Sequence, residues 1–328
     1  MPSSRRGSVL KRRMDKGRPV IDGILNLNKF TDATSMDMVR IVKRLTRVKR
    51  VGHAGTLDPI ATGVLPICFG QATRLMEHLV DGIKGYRAEV TLGVATDTYD
   101  VEGTVVGESD PSAITRSQVE ALLPVFLGSI QQQPPMYSAL KHEGKRLYAL
   151  ARAGVEVERS TREVWVGRLE LLEWSLPTMS IEAECGRGFY MRTLAQDIGT
   201  ALGCGAHLSK LVRLRTGSMD IEEAVSMEEF EAAVNDGSWE HLLEPPDAAV
   251  KTLSAISVGQ SAEHHLRNGQ PVSGGAPDAS IQHLEARRAY SGDGRFLGLV
   301  RFNRAQNQWQ PEKLFDLPLP SRYAPSQP

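Results

Sequence analysis

An aspartate on a tightly shaped loop is the residue in this chain best placed to do chemistry. Residues 52–66 read Gly52-His53-Ala54-Gly55-Thr56-Leu57-Asp58-Pro59-Ile60-Ala61-Thr62-Gly63-Val64-Leu65-Pro66. The three glycines let the backbone turn sharply or approach a ligand, and Pro59 steers Asp58 away from the helical region. A carboxylate with an ordinary pKa of about 4 is ionised at neutral pH and can attack an electrophile. By itself, Asp followed by Pro is also how many helices begin, with Asp as N-cap and Pro at the first helical position.

The flanking pattern supplies the scaffold. Ser35 to Val48 places Met38, Val42 and Leu45 on one stripe and Arg40, Lys43, Arg44 and Arg47 on the remaining surface, an amphipathic helix with Ser35 as its expected N-cap. Tyr86 to Leu92 and Met179 to Cys185 alternate apolar and polar residues and read as half-buried strands. Helices are expected from Thr115, where Gln118 completes a capping box, from Lys145 to a stop at Gly154, and from Met191 to Leu202 with a stop at Gly203. Pro134-Pro135 forces a loop between the first two. Strands and helices mix without a βαβ rhythm, which predicts a large α+β domain.

Composition narrows the class. The 328 residues carry 39 Lys plus Arg and 39 Asp plus Glu, so bulk charge does not announce a polyanionic partner. The charge is nevertheless segregated. Arg40 to Arg50 holds six basic residues and no acidic one, whereas 216–250 holds ten acidic residues and neither Lys nor Arg. Cys68, Cys185 and Cys204 are too few and scattered for a disulfide framework or a zinc site, and His264-His265 reads as a surface pair. No stretch is apolar enough for a membrane span or a secretory signal, so a cytoplasmic protein without membrane contact is expected. Residues 1–20 read as a disordered basic tail, a composition that also fits part of an organellar transit peptide. After Glu244-Pro245-Pro246, a hairpin around Gly292-Asp293-Gly294 and a strand from Gln308 to Phe315 point to a small all-β domain. The expected division is tail 1–20, catalytic domain 21–250, β domain 251–318 and disordered tail 319–328.

The whole Gly52–Pro66 string resembles the catalytic-loop signature of the TruB-type pseudouridine synthases. Further segments fit in order: Lys84-Gly85-Tyr86; Gln133-Pro134-Pro135-Met136-Tyr137 continuing to Tyr148; Gly188-Phe189-Tyr190-Met191-Arg192; and Leu211 to Gly217. The likeness spans roughly Ile21 to Val250. It implies an α+β catalytic domain with a mixed, mainly antiparallel sheet flanked by helices, and isomerisation of uridine 55 in the T arm of tRNA. By the resemblance, Asp58 is the nucleophile, Tyr86 stacks on the flipped uracil and serves the later proton abstraction, and Arg192 pairs with the aspartate. It also assigns His53 to displacement of the target nucleotide, places Tyr190 in the same strand-to-helix motif as Arg192, and puts Lys29 near the site as a substrate contact. Isomerisation changes no oxidation state, so no cofactor and no metal are expected.

The Leu266 to Val272 segment and the hairpin after it resemble, more faintly, a PUA-type RNA-binding β-barrel. A monomer acting without a protein partner is expected, because one chain carries every residue of the expected site. Two other readings compete: an RNA-folding factor, and a guide-RNA-dependent relative resembling dyskerin. The chain departs from the family in reading Lys29-Phe30-Thr31-Asp32-Ala33-Thr34-Ser35 where Lys-Pro-x-Gly-x-Thr-Ser is usual.

Overall fold

A computed structural model describes residues 21–325 except 139, 143, 156 and 275–279, together with the backbone of 14–15 and 18–19. Most of the expected basic tail thus lies outside the described residues, as do the side chains of Lys141 and Tyr148.

One long sheet organises the larger part. Its strands are β1 (Gly23–Lys29), β2 (Val51–His53), β3 (Ala61–Phe69), β4 (Lys84–Leu92), β5 (Gly128–Gln132), β6 (Arg162–Ser175), β7 (Thr178–Cys185), β8 (Ala206–Thr216) and β9 (Leu243–Glu244). They run in the order β9-β1-β3-β8-β4-β7-β6-β5, with β2 lying against the far end of β3. Pairings along this path are antiparallel except β3 with β8, where Leu211, Val212 and Arg213 run parallel beside Ala61, Thr62 and Gly63. The alternation read from Tyr86 and Met179 is the pleat of β4 and β7, whose Ala88, Val90, Met179, Ile181 and Ala183 are buried in one core.

The parallel seam depends on Gly63. Its φ is +96°, and a Cβ there would stand 2.3 Å from the Arg213 carbonyl oxygen, so no L side chain fits without moving β8.

Helix α1 (Ser35–Thr46) buries Met38, Val39 and Val42 against the sheet and leaves Arg40, Lys43, Arg44 and Arg47 exposed. Its N-cap is Thr34, not Ser35 as expected. Thr34 accepts from the Asp37 N–H at 3.1 Å, and the Asp37 carboxylate accepts back from the Thr34 N–H at 3.1 Å. Ser35 has Met38 in the matching position, which cannot return that bond. The helix ends at Thr46 because Arg47 turns left-handed with φ 59°. The Thr115–Gln118 capping box forms as expected. Helix α2 (Met191–Ala201) is almost wholly buried on the sheet and precedes Gly203 at φ +74°.

The C-terminal part is a five-stranded sheet: β10 (Ala255–Val258), β11 (Val272–Ser273), β12 (Ala286–Ser291), β13 (Phe296–Asn303) and β14 (Gln308–Leu314), ordered β10-β12-β13-β14-β11. Helix α3 (Gln260–Arg267) packs on it through buried Leu266. The two sheets share a second core in which Ile24, Val64, Cys68 and Leu79 meet Tyr290, Phe296, Leu299 and Phe315. The chain past residue 318, expected as a free tail, folds back into this seam as far as its described end at 325. Ser321 Oγ donates to Asp247 Oδ2 at 2.6 Å and Tyr323 OH to Glu244 at 2.8 Å, so the segment supplies a donor to one buried and one half-buried carboxylate.

Candidate active site

Asp58 sits in the turn that feeds β3, where the Ala61 N–H donates to the Asp58 carbonyl at 3.1 Å. It therefore begins a strand, not a helix. Three buried side chains hold this turn from beneath. Lys29, at the end of β1 and fully buried, donates from Nζ to the carbonyls of Phe30 (2.8 Å), Pro59 (3.1 Å) and Ala61 (2.6 Å). Ser35 Oγ donates to the Leu57 carbonyl at 3.1 Å and accepts the Leu57 N–H at 2.8 Å. Arg213 donates to the carbonyls of Val64 (2.7 Å) and Gly55 (3.0 Å). Each backbone group next to Asp58 thereby has a fixed partner, and the carboxylate is carried on a rigid loop.

Arg192, in the first turn of α2, meets the carboxylate edge-on, with Nε 3.0 Å from Oδ2 and Nη2 3.2 Å from Oδ1. Only the Nη2 contact is a formed hydrogen bond; Nε is an ion-pair neighbour of Oδ2 whose N–H is not aligned with it. The arginine side chain is 4% exposed, while Asp58 keeps 34%, so the pair is open on the carboxylate side. Arg192 also donates to the carbonyls of Tyr137 (2.7 Å) and Thr98 (3.3 Å) and lies 3.4 Å from Asp100, itself buried. Asp100 is fixed in turn by the Thr98 hydroxyl at 2.6 Å and the Glu102 N–H at 3.1 Å. One guanidinium thus bridges two carboxylates, with the one facing the pocket available to react.

Burial raises the pKa of Asp58 above the ordinary carboxylate value, with Arg192 opposing and Asp100 reinforcing that shift. Burial lowers the Lys29 pKa to about 8. Tyr86 on β4 and Tyr190 at the start of α2 are both raised, first by burial, and Asp58 is close enough to add to each. The Tyr190 backbone is clamped by the Gln132 amide, which accepts its N–H at 2.8 Å and donates to its carbonyl at 3.1 Å. His53 stands apart at the end of β2. Burial and then Arg213 lower its pKa, which favours the neutral ring at neutral pH.

The structure brings Asp58, Arg192, Tyr86, Tyr190 and Lys29 together and leaves His53 at the far end of the loop. Asp100, Arg213, Ser35 and Gln132 were not singled out as site residues from the sequence. Arg213 lies in the quoted Leu211–Gly217 segment and Gln132 directly before the Gln133-Pro134 segment, whereas Asp100 left no sequence signal. A cavity of about 410 Å³ lies elsewhere, among Gln260, Glu263, His264, Arg267, Asp293 and Arg295. Its arginines are already paired with Glu263 and Asp293. Among the described residues, no group of three or more His, Cys, Asp or Glu is placed to hold a metal ion, and no helix is long and apolar enough to cross a membrane.

Solved structures share this architecture. A chain from the crystal structure of a Cbf5-Nop10-Gar1 complex superposes with a TM-score of 0.71, covering 93% of this chain and 87% of that one at 24% identity. A chain from an archaeal box H/ACA Nop10-Cbf5 complex gives 0.68, covering 97% and 96% at 22% identity. These likenesses show a shared fold. Sequence makes the assignment finer. The TruB family pseudouridylate synthase N-terminal domain matches residues 43–191, and the tRNA pseudouridylate synthase B C-terminal domain matches 192–251. The tRNA pseudouridine synthase B of Thiobacillus denitrificans is 44% identical over 88% of this chain and 94% of its own length. That of Dehalococcoides mccartyi strain 195 is 41% identical over 93% and 100%. The chain belongs to the TruB family of tRNA pseudouridine synthases.

Proposed function

We propose that this enzyme isomerises uridine 55 in the T loop of tRNA, with Asp58 as nucleophile. The observation that carries the reading is the buried Arg192 guanidinium held against an Asp58 carboxylate that remains partly open, with Tyr86 and Tyr190 near enough to feel the Asp58 charge. The uracil is unreachable while stacked, so the nucleotide is extruded into the pocket at a cost of a few kcal/mol. Tyr86 offers the extruded ring an aromatic face. Asp58 attacks the substrate as the glycosidic C–N bond breaks, the base turns within the pocket, and carbon 5 joins the ribose, with the bond to Asp58 breaking to free the carboxylate. The carbon 5 proton then leaves, with Tyr86 as the acceptor, and N1 carries a proton in the product.

Arg192 keeps Asp58 ionised and oriented, and Tyr190 closes the pocket beside it. His53 acts at the loop's far end on the displaced nucleotide. Lys29 positions the loop rather than touching RNA, since its donors are engaged by carbonyls. Oxidation states are unchanged throughout, and the route draws on no cofactor.

The exposed bases of α1 supply phosphate contacts on the T arm. Residues 251–318 form a PUA-like RNA-binding module on the catalytic domain 21–250. One chain suffices as a monomer, without a protein partner, and works in the cytoplasm. The test is positional. Unmodified tRNA transcript incubated with the protein and mapped by carbodiimide and reverse transcription is expected to stop only at position 55; stops elsewhere, or none, would refute the assignment.

A further inference from the structure

The departure from the family pattern at Phe30 has a structural counterpart. The turn carrying it is pinned to the catalytic turn: the Phe30 carbonyl shares the Lys29 ammonium with Pro59 and Ala61, and the Asp32 N–H donates to the Pro59 carbonyl at 3.0 Å. Asp32 is left-handed with φ 61°, which sharpens the turn. On this anchored backbone the Phe30 side chain stays 43% exposed, and Met36 in the first turn of α1 is 48% exposed. Beyond them α1 displays Arg40, Lys43, Arg44 and Arg47 to solvent.

A phosphate track therefore leads to an aromatic ring at the rim of the site. The pocket side of that rim is acidic. Burial, and then the charges of Asp100, Asp58 and Asp32 against Arg192, raise the Glu102 pKa, so four carboxyl groups lie within electrostatic reach of one another and an uncharged nucleobase suits this side better than a phosphate.

We propose that Phe30 is a stacking platform for one unpaired nucleobase next to the target uridine, a contact that strengthens substrate binding without entering the chemistry. The proposal rests on the T-arm reading above. Extruding the target leaves a neighbouring base with one face uncovered, and an aromatic side chain covers such a face regardless of base identity. The ring's backbone is fixed to the catalytic turn, so the same contact registers the strand relative to Asp58.

The test uses an unmodified T-arm stem-loop RNA, with wild type, Phe30→Ala, Phe30→Trp and Phe30→Pro compared by steady-state kinetics. The expected result is a KM raised about tenfold by Ala and by Pro, kcat within about twofold, and recovery with Trp. A second series places an abasic nucleotide at each non-target loop position in turn. At one position the wild type and Phe30→Ala should then share the same KM. Equal KM values on the intact RNA, failure of Trp to recover, or an Ala penalty that survives every abasic substitution would overturn the proposal. Wild-type turnover of the stem-loop separates the two readings: with turnover present, a KM insensitive to Phe30 refutes only stacking, and without turnover the T-arm reading falls first.

Discussion

The loop under Asp58 and the seam between the two sheets are both buried, yet they are held by opposite means. Beneath Asp58, buried polar groups are spent on the backbone: Lys29, Ser35 and Arg213 together engage the carbonyls or amides of residues 30, 55, 57, 59, 61 and 64. At the seam, Ile24, Val64, Cys68, Phe296, Leu299 and Phe315 pack as an apolar core, edged by a polar knot in which Tyr290 and Ser321 both donate to Asp247 at 2.6 Å. Apolar burial contributes roughly 1.5–3 kcal/mol per large side chain but fixes no orientation. A buried ammonium is costly, and its return is geometric: it fixes three carbonyls at once. Damage to the loop's polar network should therefore appear in turnover as well as stability, whereas damage to the seam should appear in stability alone.

The largest effect is expected at Arg192. Arg192→Lys keeps the charge but loses the planar head that reaches Asp58, Tyr137 and Thr98 at once, and kcat should fall by about 10²–10³, the order lost when a positioned electrostatic partner is removed. Arg192→Gln also removes the charge. Because Asp58 acts as the carboxylate and burial already raises its pKa, activity falls on the acid side as the proton is taken up. Without the opposing arginine that acid limb should move to higher pH in Arg192→Gln, and less so in Arg192→Lys, in plots of kcat/KM against pH. An unmoved limb in both would detach Arg192 from Asp58 ionisation.

Ser35→Ala comes next. It strips Leu57 of both its bonds, leaving buried groups unsatisfied, so it should cost about 1–3 kcal/mol in denaturant unfolding. It should also lower kcat about tenfold through misplacement of Asp58. Tyr290→Phe is the counterpart at the seam: a similar loss of about 1–3 kcal/mol in stability, with kcat changed by less than about twofold. If Tyr290→Phe lowered kcat as much as Ser35→Ala, the contrast between the regions would fail.

The smallest effect is a pH signature. Lys29 and Lys84 have folded pKa values lowered to about 8 from the ordinary 10.5. Between these limits the unfolded chain binds the protons that the folded one has released, so these two groups make stability rise with pH across that window. Wild type minus Lys84→Met, compared by thermal unfolding from pH 7 to 10, should show that rise.

Much of this was legible in sequence because it is local. The alternation from Tyr86, the stripe of α1 and the Thr115–Gln118 box each follow from spacing alone, and the loop around Asp58 is a contiguous string. What was not legible depends on chain segments far apart. Thr34 and Ser35 are equally good caps until Asp37 is weighed against Met38. Asp100 gains meaning only when a distant turn carries it to Arg192. Arg213 looks like any polar residue of an alternating strand, and its role comes from the parallel seam with Gly63. Ser321 and Tyr323 sit in a Pro- and Ser-rich terminus whose composition suggests a tail, yet their partners, Asp247 and Glu244, lie more than seventy residues earlier.

The most direct measurement is tritium release from carbon-5-labelled uridine in an unmodified tRNA transcript, under single-turnover conditions, by wild type and by Asp58→Asn. Side by side, RNA affinity would be measured at fixed salt. The account predicts release by wild type, release slower by at least about 10⁴-fold in the variant, and affinity unchanged within about threefold, as removal of a nucleophile on an intact loop requires. Release by Asp58→Asn at a rate near wild type would contradict the assignment of Asp58 as the nucleophile.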